Sequence, residues 1–351
     1  MTASVQIAGP TDLLSDMGAR LSGEVRSDDM TRQLYSTDAS IYRIEPIAVA
    51  FPRDADDVVA AIKTAAEYGA AVLPRGAGTS LAGQTVGRAV VLDFARHMHG
   101  LLEVNAEERW ARVQPGIVLD ELNGLLKPHG LHYAPDPSTA NRATVGGGLG
   151  NNSCGAHSVV WGKSVDNVRD LRVVLSDGSQ ARFAPSEGDA LKEKRSLGGL
   201  EGDVYRALAS IGDETRSDVR ERYPKILRRV SGYNLDELAD PDRLDMARFV
   251  VGSEGTLVTI TEATLKLVPL PPAKALAVLH FADLIESMEA TVAALEVEPA
   301  AVEHVGSMII RQARDNLEYS RMMDFVQGDP EALLLVELTG DSQPELESKL
   351  D

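Results

Sequence analysis

The segment Pro74 to Gln84, PRGAGTSLAGQ, has residue types and a spacing suited to binding a ligand. Its glycines at positions 76, 78 and 83 allow the main chain to turn with its amides pointing inward, which is the geometry of an anion-binding nest. The pattern predicts a phosphate site. Taken alone, it is equally compatible with a tight surface turn.

Two nucleotide-binding motifs match this segment only in part. Gly78 and Gly83 have the spacing of a P-loop, but Gln84 stands where that motif requires a lysine. Leu81 stands at the third glycine of the dinucleotide-binding fingerprint, and a strand rather than a helix is predicted from Ala89. Neither motif therefore accounts for the segment.

Two further glycine-rich segments follow along the chain. Residues 143–155 read ATVGGGLGNNSCG and offer main-chain amides and Asn side chains with few bulky groups. Residues 251–257 read VGSEGTL and lie between two predicted strands. One extended ligand that carries phosphate groups and a flat ring would explain all three segments together.

The elements around these segments are predicted to alternate between helices and strands. Apolar residues at helical spacing predict helices over 54–68 and 118–126, each followed by a glycine suited to a C-cap. Residues 191–244 are predicted to be a polar, helical excursion from the sheet. Strands are predicted over 70–73, 89–94, 110–114, 248–251 and 258–268, with a hairpin over 171–183.

The chain changes in character after three prolines between positions 269 and 272. Residues 271–351 contain sixteen acidic and five basic residues, so they carry −11 of the net charge of −18. The predicted order there is β-α-β-α-β over 275–338, with a helix opening at Gln343, which favours an α+β layer. Because the sequence stops half-way through that helix, we expect a truncated C-terminus.

The composition excludes several classes of protein. The chain has 351 residues with 44% hydrophobic and 25% charged residues, which indicates a globular protein of about two domains. The net charge of −18 disfavours nucleic-acid binding. The single cysteine, Cys154, excludes internal disulfides and Cys-rich metal sites and favours a cytoplasmic location. No secretory signal is predicted in residues 1–19, and the uncharged stretch 143–162 is too polar for a transmembrane segment.

In this order and roughly this spacing, PRGAGTSLAGQ, PDPSTANRATVGGGLGNNSCGAHS and VGSEGTL resemble the FAD-linked oxidases of the vanillyl-alcohol-oxidase (PCMH) type. The branch they resemble is that of the D-lactate and D-2-hydroxyglutarate dehydrogenases, especially large members fused to an iron–sulfur domain. The resemblance implies an α+β fold in three parts. These are an N-terminal helical lead-in (1–34), a two-subdomain PCMH-type FAD-binding domain (35–270) and the start of an incomplete, ferredoxin-like substrate or cap domain (271–351).

The resemblance also implies which residues bind FAD. The loop that donates hydrogen bonds to the pyrophosphate is matched by Arg75, Gly76, Ala77, Gly78, Thr79 and Ser80. Further residues match the positions that surround the isoalloxazine and the ribityl chain in this family. They are Pro135, Thr144, Gly146, Gly147, Gly150, Asn151, Gly155, Trp161 and Gly162. The adenosine end is matched by Glu254, Gly255 and Ile260. Thr79 and Ser80 stand where relatives with tethered flavin have histidine, which implies non-covalent FAD, and Val258 replaces a usual glycine.

The activity implied by the resemblance is the oxidation of a D-2-hydroxy acid, such as D-lactate or D-2-hydroxyglutarate, by hydride transfer to flavin N5. The metal ligands, the main substrate-carboxylate clamp and the iron–sulfur cluster are expected in a missing C-terminal part. No catalytic or metal-binding residue is therefore assigned, the electron acceptor is unknown, and we expect an inactive, flavin-binding fragment. Two alternatives remain open: a nucleotide-phosphate-binding domain without redox function, and a UDP-sugar enol-ether reductase on the same scaffold.

The remaining side chains with chemical potential are interpreted mainly as structural. The two histidine pairs lack a third metal ligand at suitable spacing and are interpreted as surface or core residues: His97 with His99, and His129 with His132. Cys154 is interpreted as a small buried residue. Three residues stay secondary candidates, His157 for a position facing the flavin, and Arg228 and Arg229 for binding a substrate carboxylate.

Overall fold

The structure is a computed structural model, and it describes residues 10–350. This part of the chain divides into two compact units. The first contains residues up to 153 together with 163–268, and the second contains 154–162 together with the residues from 269 onward. The domain limits 34/35 and 270/271, and the substrate or cap role of the last region, remain predictions.

Helices account for much of both units. The α-helices are Pro10–Arg20, Asp29–Leu34, Ala55–Glu67, Leu119–Leu126, Val145–Asn151, Ser158–Trp161, Gly188–Ser196, Gly199–Arg222, Met246–Val250, Leu284–Ala294, Ser307–Asp315 and Gln343–Leu350. Between residues 10 and 350, no helix combines the length and apolar character needed to cross a membrane.

The first unit contains a four-stranded sheet. Its spatial order is Glu24–Arg26, Ala48–Phe51, Val90–Asp93, Val72–Arg75, with the first pair antiparallel and the other two pairs parallel. The strands Ala48–Phe51 and Val90–Asp93 are buried along their whole length, as expected for a parallel sheet covered on both faces. The helix Ala55–Glu67 packs on one face, where the lead-in residues Leu13 and Met17 join the same core.

A five-stranded antiparallel sheet forms the other half of this unit. Its order is Leu101–Asn105, Trp110–Val113, Thr259–Lys266, Val168–Val174, Gln180–Phe183. Alternate residues such as Ala111, Val113 and Leu265 are buried in the main hydrophobic core. A two-stranded ribbon pairs Pro185–Glu187 with Arg243–Asp245, and the short strands Leu131–His132 and Val268–Pro269 complete the set.

The second unit is built on a three-stranded antiparallel sheet. Its order is Ala273–Phe281, Ala332–Gly340, Ala301–Gly306, so the last strand in sequence lies in the middle. Leu334, Val336 and Leu338 of the middle strand form a small core with residues of the helices Leu284–Ala294 and Gln343–Leu350. The helix Ser307–Asp315 lies between the second and third strands in sequence, so the elements alternate β-α-β-α-β.

The structure confirms most of the predicted elements. The helix expected over 54–68 runs from Ala55 to Glu67, with Asp54 as its N-cap and Gly69 in the left-handed conformation after its end. The predicted α+β alternation over 275–338 is also confirmed. The strand expected over 248–251 is wrong: Asp245 accepts a hydrogen bond from the amide of Arg248 and thereby caps the short helix Met246–Val250.

Asp57 connects the start of the chain to the first sheet. Its carboxylate is 4% exposed and accepts hydrogen bonds from the main-chain amides of Ser22, Gly23 and Arg53 at 2.7–3.0 Å, and from the Ser22 hydroxyl at 2.9 Å. Burial raises the pKa of Asp57, but the hydrogen bonds to its carboxylate lower the pKa by more than burial raises it. The pKa of Asp57 therefore lies below its ordinary value.

We expect Asp57→Ala to lower the free energy of unfolding by about 3 kcal/mol, because several buried donors lose their acceptor. A carboxyl with a lowered pKa stabilises the folded state above the pKa of the unfolded chain, about 4, and this contribution is lost as pH falls through the folded value. Thermal unfolding followed by circular dichroism should therefore show a difference that is large at neutral pH and shrinks in acid. Asp56→Ala, on the exposed side of the same helix, is the control and should change stability little.

Candidate functional site

The first glycine-rich segment lies at the carboxyl end of a parallel strand. The strand Val72–Arg75 ends directly before Gly76, and in sheets with parallel strands ligands commonly bind at this end. The main-chain amides of residues 76–80 donate to no acceptor within residues 10–350. Gly78 has φ +70°, a left-handed conformation that lets successive amides converge. The loop therefore presents a row of unused donors.

The second segment contains a helix that the sequence analysis treated as a loop. Val145–Asn151 is helical although four of its seven residues are glycine. The side chain of Thr144 caps it by accepting a hydrogen bond from the amide of Gly147 at 3.2 Å. The amides of Val145 and Gly146 donate to the carbonyls of Ile117 and Pro115 at 2.9 and 2.8 Å. The first-turn donors of this helix are therefore already satisfied by the protein, in contrast to those of residues 76–80.

The first two segments are in close contact at one point. A Cβ atom added to Gly76 would lie 2.1 Å from Oγ1 of Thr144, and one added to Gly146 would lie 2.6 Å from Cβ of Pro115. Neither position has room for a side chain. The absence of a side chain at Gly76 and Gly146 is therefore what allows the loop, the helix and the Pro115 turn to meet.

The third segment completes the same site. The amides of Gly252 and Glu254 donate to the carbonyls of Leu149 and Gly150 at 2.9 and 3.0 Å, so they satisfy acceptors at the C-terminal end of the glycine-rich helix. The carboxylate of Glu254 accepts from the side-chain amides of Asn151 at 3.0 Å and Gln84 at 3.3 Å. These contacts connect all three glycine-rich segments, as the sequence analysis expected.

A cleft in the first unit lies where the three segments meet. Its lining consists of Pro74, Arg75, Gly76, Ser80, Gln84, Thr85, Phe94, Pro115, Thr144, Gly146, Gly147, Gly150, Ser253, Glu254, Gly255, Val258 and Ile260. Of these described residues, Arg75 is the single cation and Glu254 the single acid. Small residues and main-chain groups dominate, and Phe94, Val258 and Ile260 give the cleft an apolar part.

The environment of the cleft changes the pKa of Glu254. Burial raises the pKa of its carboxyl above the ordinary value, and the hydrogen bonds from Asn151 and Gln84 offset this only in part. The residue also has φ +52°, which is unusual for a side chain other than glycine. The surrounding contacts thus hold Glu254 in a conformation and an environment that it would not adopt alone.

The cleft brings together ten of the predicted cofactor-binding residues. These are Arg75, Gly76, Ser80, Thr144, Gly146, Gly147, Gly150, Glu254, Gly255 and Ile260. Ala77, Gly78 and Thr79 belong to the same loop without lining the cleft, Asn151 contacts it through Glu254, and Pro135 is buried elsewhere in the first unit. Gly155, Trp161 and Gly162 lie in the second unit, and their predicted role stays a prediction.

Several lining residues escaped the sequence analysis. Gln84 is the last residue of the first glycine-rich segment, Thr85 directly follows it, and Ser253 lies inside the third segment. Assigning every residue of each segment and the next residue along the chain would have found them. Phe94 and Pro115 carry no such signal. They reach the cleft because the strand Val90–Asp93 and the turn that follows Trp110–Val113 end beside it.

The secondary candidates have protein partners. Arg229 pairs with Asp236 at 2.6 Å and stacks on the ring of Tyr223. In the second unit, Nε2 of His157 lies 3.0 Å from Oε1 of Glu337. Cys154 is half-buried and not in a disulfide. Within residues 10–350, no three His, Cys, Asp or Glu side chains are grouped so that they could hold a metal ion.

Part of the first unit is similar to a known protein family. Residues 46–184 match the family described as FAD binding domain. A D-2-hydroxyglutarate dehydrogenase of Pseudomonas putida is 35% identical over 336 residues, which cover 93% of this chain and 33% of that protein. The glycolate oxidase subunit GlcD of Bacillus subtilis is 31% identical over 81% of this chain and 51% of its own length. The chain thus spans about a third of the D-2-hydroxyglutarate dehydrogenase it resembles.

The fold has close matches among solved structures. Two structures of alkyldihydroxyacetonephosphate synthase superimpose with TM-scores of 0.67 and 0.68 over 97% of this chain, at 18% sequence identity, and the match covers 58% and 57% of those chains. The predicted α+β, PCMH-type fold is confirmed. Residues 46–184 therefore resemble an FAD-binding domain. The predicted similarity to the D-lactate and D-2-hydroxyglutarate dehydrogenase branch of the FAD-linked oxidases is confirmed as well.

The raised pKa of Glu254 makes the stability of the cleft depend on pH. The pKa of a glutamate in the unfolded chain is about 4.3. A carboxyl with a higher pKa in the folded state binds its proton more tightly when folded, so the stability of the fold decreases as pH rises above about 4.3. Glu254→Gln removes the ionisation and keeps an oxygen acceptor. We expect its melting temperature to exceed that of the parent by about 2 °C at pH 8 and to equal it near pH 4. Glu107→Gln, at an exposed glutamate, should show no such trend.

Proposed function

We propose that the cleft of the first unit binds FAD and that the unused amides of residues 76–80 hold its diphosphate. The observation that carries this proposal is the contrast between these amides and those of the helix Val145–Asn151, which already have protein acceptors. A diphosphate offers several oxygen acceptors within a short span, which matches a row of converging donors. Gly76 and Gly146 support this arrangement because their lack of a side chain lets the loop pack against Thr144 and the helix against Pro115.

The rest of the cleft suits the remainder of FAD. Thr144, Gly146, Gly147 and Gly150 form a smooth wall on which a flat ring or the ribityl chain would lie, and Asn151 stands at its end. Gly255 and Ile260, with Glu254, line the other side, which we assign to the adenosine end of FAD. Thr79 and Ser80 offer no nucleophile suited to tethering the flavin. We therefore propose that FAD binds without a covalent bond.

The activity we propose is the oxidation of a D-2-hydroxy acid such as D-2-hydroxyglutarate or D-lactate. Its support is the 35% identity to a protein named D-2-hydroxyglutarate dehydrogenase across 93% of this chain. When bound, FAD would act as the acceptor of the hydride from C2 of the hydroxy acid. The part of this chemistry that the described residues supply is the binding and orientation of the cofactor.

The proposal also includes an electron acceptor and a cellular location. The acceptor of the electrons is a further partner of unassigned identity. A cytoplasmic location agrees with the single cysteine of the sequence, since a reducing compartment does not favour disulfide-dependent folds.

The test of this proposal is FAD binding by the purified chain and by a matched pair of glycine variants. The parent protein should be yellow, and acid precipitation should leave the flavin in the supernatant. Gly76→Ala places a Cβ 2.1 Å from Oγ1 of Thr144 and should weaken FAD binding at least about tenfold, a change of about 1.4 kcal/mol. Gly87→Ala, in the same stretch, places its Cβ 3.6 Å from Leu73 and should bind FAD like the parent.

Two outcomes would count against the proposal. A colourless parent protein that also fails to take up added FAD would contradict binding in the cleft. A folded Gly76→Ala protein that retains full affinity would show that the loop after Arg75 is not the diphosphate site. Flavin that stays with the acid precipitate would contradict only the non-covalent claim.

A further inference from the structure

The guanidinium of Arg75 is turned toward the protein. Arg75 is 8% exposed, and its Nη1 donates to the main-chain carbonyls of Tyr35 at 3.2 Å and Thr85 at 3.0 Å. Nη2 donates to the carbonyl of Thr37 at 2.8 Å, and the guanidinium carbon lies 5.1 Å from the centre of the Tyr35 ring. Arg75, the single cation among the described lining residues, therefore donates these three hydrogen bonds to main-chain carbonyls.

Residues 35–42, here called the clasp, hold the glycine-rich loop at further points. The amide of Ala39 donates to the carbonyl of Gly78 at 3.0 Å, and the hydroxyl of Thr85 donates to Asp38 at 3.0 Å. The hydroxyl of Tyr35 donates to Asp93 at 2.6 Å, which fixes the clasp to the end of the strand beside Arg75. Clasp, loop and sheet edge are thus joined around one guanidinium.

Gly78 does not line the cleft, but it lies close to the guanidinium of Arg75, and this closeness explains why position 78 is a glycine. A Cβ atom added to Gly78 would lie 2.6 Å from Nη2 of Arg75, and Gly78 has φ +70°. The loop therefore wraps closely over the guanidinium. Its amides keep their orientation because the loop cannot move away without breaking the hydrogen bonds of Arg75.

We propose that Arg75 is a positioning residue for FAD binding, which fixes the loop of residues 76–85 against the clasp and acts on the diphosphate only through the oriented main-chain amides. This inference rests on the proposed function. It predicts that FAD affinity depends on the hydrogen-bonding geometry of the side chain at position 75 and not on its charge. Nη1 and Nη2 of arginine donate to the three carbonyls from two positions of a planar fork. The three donors of a lysine ammonium all leave from one nitrogen atom and do not reproduce this geometry.

The experiment compares Arg75→Lys, Arg75→Met and the control Arg88→Met, which removes the same charge at an exposed site in the same stretch. FAD dissociation constants are measured by flavin fluorescence at about 25 mM and about 500 mM NaCl. Arg75→Lys and Arg75→Met should each weaken binding by about tenfold or more, and to a similar extent. The ratio of the constants at the two salt concentrations should be the same in Arg75→Met as in the parent. Arg88→Met should bind FAD within about twofold of the parent.

A direct contact between Arg75 and the diphosphate predicts the opposite pattern. Arg75→Lys would then keep most of the affinity, and Arg75→Met would lose part of the salt dependence. Either result would overturn the inference.

A second readout needs no FAD. Amide hydrogen exchange of Ala39 and Thr85, whose amides donate to the carbonyl of Gly78 at 3.0 Å and to Asp38 at 3.4 Å, should be faster in Arg75→Lys without added flavin. It should also be faster in the milder variant Asp38→Asn, which weakens the contact of the clasp with Thr85. Unchanged exchange in both variants would overturn the positioning role, even where Arg75→Met fails to fold. If the parent binds no FAD, the proposed function fails, and the exchange experiment still decides whether Arg75 holds the loop.

Discussion

The cleft depends on hydrogen bonds that hold the glycine-rich helix Val145–Asn151 from both ends. Each glycine inside a helix costs about 0.5–1 kcal/mol relative to alanine, so this sequence would not stay helical alone. Carbonyls of the Pro115 to Ile117 turn accept from its first amides, and the amides of Gly252 and Glu254 donate to its last carbonyls. Gly146 is required because a Cβ atom there would lie 2.6 Å from Cβ of Pro115, whereas Gly148 and Gly150 have room for one, with their nearest atoms at 3.9 and 4.0 Å. One short helix therefore fixes where the other two segments of the site must lie.

The electrostatics of the cleft suit an anion in an otherwise acidic chain. The net charge of −18 opposes the approach of a diphosphate, and the lining offers one guanidinium that faces main-chain carbonyls. The local attraction must then come from main-chain dipoles, which lose no side-chain entropy when they bind. Glu254 is the single acid among the described lining residues, and burial raises the pKa of its carboxyl.

The sequence predicted elements with a local pattern better than elements that distant contacts stabilise. Periodic helices such as Ala55–Glu67 and the alternation of the last eighty residues were predictable because a local pattern and a local cap determine them. The helix Val145–Asn151 was not, since its stability comes from distant carbonyls and amides. The short helix Met246–Val250 was mistaken for a strand because five apolar-rich residues carry no distinguishing period. Arg75 was assigned to the right loop, but only the structure shows that its side chain points to Tyr35, Thr37 and Thr85.

The central claim is that the three glycine-rich segments bind one FAD together. The most direct test is amide hydrogen exchange of the whole chain with and without saturating FAD. We predict slower exchange with FAD in residues 76–80, in the helix Val145–Asn151 and in residues 252–255, and no change on the outer strand Gln180–Phe183 of the antiparallel sheet. Protection limited to one of the three segments, or no protection in any of them, would contradict the claim.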